Sequence, residues 1–217
     1  MSGSLTLSIK NDIVLEHCRG ITGCPNAVVS GGRLLDGLRS LPDILTGFIT
    51  ESAPDEAVMP HRRFRISLSL CPNGCSRPQI ADVGVIGAAV MKIDPGACTG
   101  CGACVAACRE LALEPDEKLV PRLNHNCINC GDCLRVCPFD AITPARTGFR
   151  VLLGGKLGRH PQFGTELEGL YSEKEVLDIV SASYMLFRSF DREIRFGEII
   201  NRQGLSWLPG GLVGKES

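Results

Sequence analysis

The most regular pattern of apolar and polar positions lies in residues 63–70. Arginine and serine alternate there with large apolar side chains, in the order Arg63, Phe64, Arg65, Ile66, Ser67, Leu68, Ser69 and Leu70. A period of two is typical of a β-strand. The predicted strand leads directly into Cys71, so the loop from Cys71 to Cys75 lies at a strand end, where a rigid scaffold can position a ligand.

Weaker apolar patterns predict further strands on both sides of this segment. Residues 5–15 alternate loosely, as a half-buried strand does. Residues 80–93 predict more strand, in which Gly84 and Gly87 permit the close approach of a bulky group. Residues 149–153 predict a strand that leads into a glycine-rich turn.

Helical spacing appears near both ends of the chain. It begins near Pro25, which suits a first helical turn, and Pro42 predicts the start of another short helix. Ser172 and Glu175 form a capping box ahead of apolar residues at helical spacing. Residues 196–200 predict the last helix.

Residues 98–113 and 127–142 form an internal repeat. The two segments read CTGCGACVAACRELAL and CINCGDCLRVCPFDAI, with an offset of 29 residues. A duplicated module of this kind predicts a small domain inserted at residues 92–145. The larger domain would then consist of residues 1–91 and 146–217, and the fold class expected for the chain is α+β.

Composition and charge restrict the class of protein. A length of 217 residues with 44% hydrophobic residues suits one large domain, or one domain with a smaller insert. The net charge of −1 gives no electrostatic reason to expect nucleic acid or an anionic membrane as a partner. We expect a cytoplasmic protein, because the first residues lack a secretory pattern and no apolar stretch reaches the roughly 18 residues of a membrane span.

All twelve cysteines fall into three groups of four with ligand spacing. Two of the groups share the run CxxCxxCxxxC, and their members are Cys98, Cys101, Cys104 and Cys108, and Cys127, Cys130, Cys133 and Cys137. This run holds [4Fe–4S] clusters in bacterial two-cluster ferredoxins, where the fourth cysteine of each run ligates the other cluster. We therefore expect Cys137 to complete the first three cysteines of the earlier run, and Cys108 to complete those of the later run.

A pair of structural zinc sites is the alternative for these two runs, because CxxC pairs also suit tetrahedral zinc. Three thiolates at consecutive short steps would, however, crowd a single ion. The duplication, and the proline that follows Cys137, favour clusters. Such a module transfers single electrons and binds no substrate of its own.

The remaining group has a different spacing. Cys18 and Cys24 form a Cx5C pair, Cys71 and Cys75 form a Cx3C pair, and 46 residues separate the two pairs. This pattern resembles the sulfite and nitrite reductase family, in which the same pairs hold a [4Fe–4S] cluster whose last cysteine also ligates the iron of siroheme. The resemblance implies that Cys75 is the bridging ligand and that Cys18, Cys24 and Cys71 complete the cluster.

The resemblance extends beyond the cysteines. The segment CPNGC at residues 71–75, the following residues 80–87 and the segment VLLGGKLGRHP at residues 151–161 are all similar to that family. It implies a mixed sheet covered by helices, with an inserted two-cluster ferredoxin domain of the kind found in dissimilatory and anaerobic sulfite reductases. Electrons would then pass through three clusters to siroheme.

Siroheme carries many carboxylates, so basic residues and backbone amides are expected to line its pocket. The candidates that follow from the resemblance are Asn73, Arg77, Lys156 and Arg159. Arg63 and Arg65 are further candidates, with a solvated strand face as an equal alternative. Structural or surface roles are expected for His17, His61, His125 and His160, and a packing role for Trp207.

Two departures from the family pattern bear on function. Complete reductases contain two related halves, whereas this sequence matches one, and the residues that bind the substrate anion belong to the other half. Leu70 occupies a position where the family has glycine, so it is expected to crowd the macrocycle. A partner chain could complete the pocket, the chain could dimerise across it, or siroheme could be absent.

The leading hypothesis is therefore an oxidoreductase that reduces sulfite or nitrite by six electrons at a siroheme. Its partners would be an electron donor protein, a small inorganic anion as substrate, and a complementary subunit or a second copy of the chain. The alternative is a non-catalytic electron-transfer protein that keeps the clusters and lacks a complete substrate site.

Overall fold

The structure is a computed structural model that describes residues 5–10, 12–45, 63–190, 193–210 and 212. The strands in this part of the chain are β1 Leu5–Lys10, β2 Ile13–His17, β3 Phe64–Ser69, β4 Val83–Ile93, β5 Leu113–Pro115, β6 Pro121–Leu123, β7 Ile142–Leu153 and β8 Thr165–Glu166. The α-helices are α1 Gly32–Leu45, α2 Ala103–Ala107, α3 Asp132–Val136, α4 Glu173–Arg188 and α5 Phe196–Gln203. His61 lies outside the described residues.

One mixed sheet forms the frame of the molecule. Its strand order is β1-β2-β3-β4-β7-β8; β2, β3 and β4 run parallel, and the remaining neighbours are antiparallel. The fold is therefore α+β, as predicted. Residues 5–15 were predicted as one strand, but they form two, because the chain reverses between Lys10 and Ile13 to make a hairpin.

The strand predicted over residues 63–70 is β3, which lies inside the sheet. Phe64, Ile66 and Leu68 belong to the main hydrophobic core, as their alternation predicts. Ser67 and Ser69 are also buried, each with 1% exposure. The two serines of the pattern therefore do not face solvent, because Ser76 of the loop after Cys75 bonds to both, whereas Arg63 and Arg65 are half-buried.

Helices α1, α4 and α5 contribute apolar side chains to the main core beside the sheet. Phe64 lies at the centre of this contact, with its ring centroid 5.3 Å from those of Phe187 and Phe196 and 5.5 Å from that of Tyr184. Trp207 packs edge-on against Phe196, as predicted. In the described ranges, no helix combines the length and the apolar content that crossing a membrane requires.

Helix α1 differs from its prediction at both ends. It begins at Gly32 rather than near Pro25, because the preceding segment is tied to the end of β3 through the bond from Val28 N–H to Leu70 O, 2.9 Å. It then continues past Pro42 to Leu45, so no second helix starts there. Pro42 is therefore inside the described helix, where it removes one intrahelical hydrogen bond.

A small second unit projects from the ladder between β4 and β7. That ladder extends to the pair Ile93 and Ile142, and the chain between these residues contains α2, α3 and the β5–β6 hairpin. The unit has its own hydrophobic cluster, which includes Leu113 and Ile142.

The backbone of this unit repeats as the sequence does. Positive φ angles occur at positions separated by the offset of the repeat, in the pairs Gly100 (70°) and Asn129 (59°), Gly102 (76°) and Gly131 (73°), and Leu111 (53°) and Asp140 (52°). Since L-residues rarely adopt such angles, matched pairs show that both halves follow the same chain path.

Candidate metal centres

Two parallel strands place the first cysteine pairs at one edge of the sheet. Cys18 directly follows β2, and Cys71 follows β3 after one intervening residue. Parallel neighbours end at the same edge, and the bond from Cys18 N–H to Leu68 O, 2.9 Å, extends their pairing. The carboxyl ends of parallel strands are common ligand positions in sheets with helical cover.

The four thiols Cys18, Cys24, Cys71 and Cys75, which we call the first site, lie close enough to interact electrostatically. Burial raises the pKa of Cys71, and the nearby thiols of Cys18, Cys75 and Cys24 raise it further. Cys18 Sγ accepts hydrogen bonds from Gly20 N–H, 3.3 Å, and Leu70 N–H, 3.4 Å. Cys75 differs from Cys18 and Cys71, which are buried, because its side chain is exposed.

Glycines next to the first site admit the chain itself rather than a foreign group. A Cβ at Gly84 would lie 2.1 Å from Pro78 O, and one at Gly87 would lie 2.7 Å from Leu70 O. The groups that lie close to these glycines are therefore backbone atoms from the two ends of the cysteine loop. Backbone atoms cannot yield as a flexible side chain can, so both positions require glycine.

Leu70 is buried rather than directed into open space. It has 2% exposure, and its side chain fills the room left by two other glycines. A Cβ at Gly31 would lie 2.4 Å from Leu70 Cδ2, and one at Gly20 would lie 3.1 Å from Leu70 Cβ. The structure thus places the bulk of Leu70 in the core beside Cys18, instead of leaving it free to crowd a macrocycle.

The other eight cysteines form two groups. The outer site surrounds a cavity of about 300 Å³ and consists of Cys98, Cys101, Cys104 and Cys137. The inner site borders a smaller cavity and consists of Cys108, Cys127, Cys130 and Cys133. The structure thus brings together the cysteines that the ferredoxin spacing groups; that they hold clusters stays a prediction.

Burial and neighbouring thiols affect both of these sites. Burial raises the pKa of Cys104, and Cys101 and Cys137 contribute in the same direction. Burial likewise raises the pKa of Cys133 to about 11, with further contributions from Cys127 and Cys130. Bound iron would counteract the raised pKa of these thiols, because it stabilises the thiolate form.

The size of the outer cavity bears on the choice between iron-sulfur clusters and single ions. Within the described ranges, no three His, Cys, Asp or Glu side chains approach closely enough to share one metal ion. The outer site instead borders a cavity of about 300 Å³ that all four of its cysteines help to line, and this room suits a cage of iron and sulfide. The donor set and the room fit a cluster with four thiolate ligands.

The inner site lies against the main sheet and close to the first site. Ala89 N–H of β4 donates to Asn129 O, 3.0 Å, which fixes the loop of the inner site on the sheet. One small polar cleft is bordered by cysteines of both sites, and its lining includes Cys71, Asn73, Arg109, Cys130, Asp132 and Arg135. The spacing of the cysteines did not reveal this cleft, because it depends on how the two units pack.

The basic residues selected as siroheme contacts have different surroundings. Arg65 forms an ion pair with Glu16, 2.8 Å, and Lys156 forms one with Glu198, 3.3 Å. Arg77 and Arg159 are exposed. Asn73 is exposed in the cysteine loop and lines the cleft described above.

The glycine-rich turn that carries Lys156 packs beside the cysteine loop. Gly164 N–H donates to Gln79 O, 2.8 Å, and a Cβ at Gly155 would lie 2.5 Å from the same oxygen. The turn therefore contacts the short 3-10 helix at Pro78–Ile80, which directly follows Arg77. The turn therefore lies close to the residues that follow Arg77, and contacts of Arg77, Lys156 and Arg159 with siroheme stay a prediction.

The three histidines in the described ranges differ in burial, and their structural or surface roles stay a prediction. His17 is buried, and its Nδ1 lies 3.1 Å from Cys18 O. His125 and His160 are exposed. None of these three lies in a group that could hold a single metal ion.

Two kinds of buried polar residue were not identified from the sequence. Asp82 is buried within the segment that resembles the family, and it accepts a hydrogen bond from Arg65 N–H, 2.8 Å. Burial raises its pKa to about 6, against the lowering effects of that bond, Arg195 and Arg65. The buried serines around Cys75 are the second kind, and their spacing of two residues in β3 was the only signal.

Comparison with known proteins agrees with this arrangement. Residues 16–212 match the family described as the nitrite and sulphite reductase 4Fe-4S domain. The coenzyme F420-dependent sulfite reductase of Methanocaldococcus jannaschii is 31% identical over 173 residues, which make up 79% of this chain and 26% of that protein. Over 43 residues, 20% of this chain and 13% of the relative, the chain is 49% identical to one of the subunits of the anaerobic sulfite reductase of Salmonella typhimurium.

A solved structure shares the fold. Dissimilatory sulfite reductase I superposes with a TM-score of 0.62 at 19% identity, over 95% of this chain and 55% of that chain. The chain therefore spans only part of each relative's length, 26% for the F420-dependent enzyme and 55% for the dissimilatory one. The family match itself covers most of the chain, residues 16–212. The chain is a member of the nitrite and sulphite reductase family and carries its 4Fe-4S domain.

Proposed function

We propose that this chain is the iron-sulfur half of a sulfite or nitrite reductase, which relays electrons to a siroheme-type centre at Cys75. The observation that carries the proposal is the convergence of Cys18, Cys24, Cys71 and Cys75 at the edge where β2 and β3 end. The names of the relatives support the reaction class.

Three [4Fe–4S] clusters would be held by the first, inner and outer sites, the last two within an inserted ferredoxin domain at residues 92–145. When bound, the clusters supply one-electron transfer. The packing favours the order outer, inner, first, because Cys71 and Cys130 border the same cleft. An electron donor protein would then approach the outer site, where Cys101 is exposed.

A siroheme, when bound, would supply the centre at which sulfite or nitrite accepts six electrons. Cys75 suits the bridging role because its thiol is exposed while Cys18 and Cys71 are buried. Arg77 is exposed two residues further on and would pair with a carboxylate, and Arg159 would do the same from the glycine-rich turn. Lys156 is already neutralised by Glu198, so its contribution would be weaker.

The site would need a second half to bind the substrate anion. The chain spans 26% of the length of the F420-dependent relative. A complementary subunit, or a second copy of this chain, would bring the missing basic groups to the open face of the macrocycle. The residues that distinguish sulfite from nitrite would lie in that second half.

The absorption spectrum and metal content of anaerobically purified protein test this proposal. We expect about twelve iron atoms per chain if all three sites hold [4Fe–4S] clusters, together with the Soret and visible bands of siroheme. Cys75→Ser should remove those bands and leave the clusters of the inner and outer sites in place. Clusters without haem bands in the unaltered protein would support the electron-transfer alternative, and zinc in place of iron would refute both.

A further inference from the structure

Ser76, which follows Cys75, has all of its polar atoms bonded to β3. Its N–H donates to Ser69 Oγ, 3.3 Å, and its carbonyl oxygen accepts from Ser67 Oγ, 2.6 Å. Its hydroxyl donates to Leu68 O, 2.9 Å, and lies 2.7 Å from Ser69 Oγ. The residue has 0% exposure. We call Ser67, Ser69 and Ser76 the serine clamp.

The clamp closes the cysteine loop onto the strand from which it leaves. Cys71 lies two residues beyond the end of β3, and Ser76 returns to the same strand five residues later. Between them, Gly74 adopts a φ of 58° and its N–H donates to Cys71 O, 3.3 Å. Both ends of the loop are therefore attached to one rigid element.

Cys75 depends on this attachment more than Cys18 and Cys71 do. Those two cysteines are buried, and Cys18 Sγ accepts two backbone hydrogen bonds. The Cys75 side chain is exposed, so little of the core packs around it. Its place is set mainly through the backbone, and the next residue along that backbone is Ser76.

We propose that the serine clamp is a positioning device that holds the Cys75 thiolate on its iron and protects the most exposed corner of the first cluster. This inference rests on the proposed function, because it requires that the first site hold a cluster. A buried hydrogen-bond network of this kind is rigid when complete, and loss of one hydroxyl leaves its partners unsatisfied. The loop would then open locally, and the Cys75 iron would be lost first.

The test follows each cysteine separately in the cluster-loaded full-length protein. The protein is exposed to an iron chelator in the presence of iodoacetamide, and the alkylation of every cysteine is measured by peptide mass spectrometry. In Ser76→Ala we expect Cys75 to be alkylated about tenfold faster than in the unaltered protein, since both hydrogen bonds of the buried Ser76 hydroxyl are lost. The cysteines of the inner and outer sites should keep their rates.

Ser183→Ala is the matched control. Ser183 also has 0% exposure, and its hydroxyl donates to Ile179 O, 2.7 Å, within α4. A general loss of stability would affect both variants, whereas a positioning role would accelerate alkylation of Cys75 only in Ser76→Ala. Equal Cys75 rates in the two variants, or equal acceleration of all twelve cysteines in Ser76→Ala, would refute the clamp.

Ser69→Ala provides a second approach, should Ser76→Ala fail to fold. It removes the hydroxyl that is bonded to both Ser76 N–H and Ser76 Oγ. This variant should therefore also increase the rate at which Cys75 is alkylated. In the double variant Ser69→Ala/Ser76→Ala, the increase in the Cys75 alkylation rate should be smaller than the product of the two single increases, because both serines act in one network. If Cys75 of the unaltered protein reacts as a free thiol while Cys71 is protected, the proposed ligand role of Cys75 fails, which is a separate outcome from failure of the clamp alone.

Discussion

The buried carboxyl of Asp82 links the stability of the protein to pH. Its pKa is raised by burial to about 6 from 3.8, so the folded state binds more protons than the unfolded state between these values. The contribution of Asp82 to stability is therefore fully present below pH 3.8 and is lost as the pH rises through about 6. At neutral pH the folded protein carries a buried carboxylate at a cost of about 3 kcal/mol.

Asp82→Asn should consequently stabilise the protein at pH 8. The amide imitates the neutral acid and can still accept the hydrogen bond from Arg65 N–H. We expect a gain of up to about 3 kcal/mol at pH 8, falling to roughly half of that at pH 5, where the acid is largely protonated in the folded state. The midpoint of urea unfolding under anaerobic conditions at the two pH values measures the change.

Asp116→Asn is the control for this prediction. Asp116 accepts hydrogen bonds from Lys118 N–H and Val120 N–H, 2.9 Å each, and the latter bond above all lowers its pKa. Its carboxylate therefore stabilises the folded state at neutral pH, and the substitution should lower the midpoint at pH 8. If both variants shift the midpoint in the same direction, the assignment of Asp82 is wrong.

Among single residues, the sequence predicts the cysteine groups better than their surroundings. Short spacings and the duplicated run restrict which thiols can meet, and Cys137 indeed lies with Cys104. Ser76 and Asp82 carry no comparable signal, because serine and aspartate are ordinary surface residues. Their importance comes from burial by distant segments, which a single sequence does not reveal.

For the secondary-structure elements, sequence patterns predict that a helix or strand exists better than they predict the residues at which it begins and ends. The capping box of α4 is confirmed: Glu175 N–H donates to Ser172 Oγ, and Ser172 N–H donates to Glu175 Oε2. The start of α1 was wrong because tertiary bonds to β3 hold the residues after Pro25 outside a helix. Hydrogen bonds between near neighbours in sequence determine where α4 begins, whereas packing against β3 determines where α1 begins.

Ser172→Ala should therefore destabilise the protein by about 1 kcal/mol, the usual cost of losing an N-cap side chain. The capping box lies at the start of α4, on an exposed surface. We expect a lower midpoint of unfolding with unchanged cluster absorption. Ser189→Ala at the other end of α4 is the control, since Ser189 Oγ only donates to Leu186 O in an exposed turn; an equal loss there would contradict the capping explanation.

At the scale of the whole molecule, the cleft between the first and inner sites carries a positive charge that can act on both. Arg135 donates to Cys130 O, 3.2 Å, and pairs with Asp132. It lines the same cleft as Cys71, so its guanidinium lies near both sites. Because reduction adds negative charge to a cluster, a nearby cation favours the reduced form.

Arg135→Gln should thus lower the reduction potentials of the clusters proposed for the first and inner sites by on the order of 50 mV, since the amide removes the charge while keeping a hydrogen-bond donor. The outer cluster should shift less, because its four cysteines border a separate cavity. Titration of the cluster-loaded protein followed by electron paramagnetic resonance measures all three potentials.

Arg122→Gln is the control, because Arg122 is exposed and pairs with Asp116, and neither residue lines the cleft. A uniform shift of all three clusters in Arg135→Gln, or an equal shift in Arg122→Gln, would show that the charge acts through the bulk of the protein, and the proposed order of the relay would lose its support.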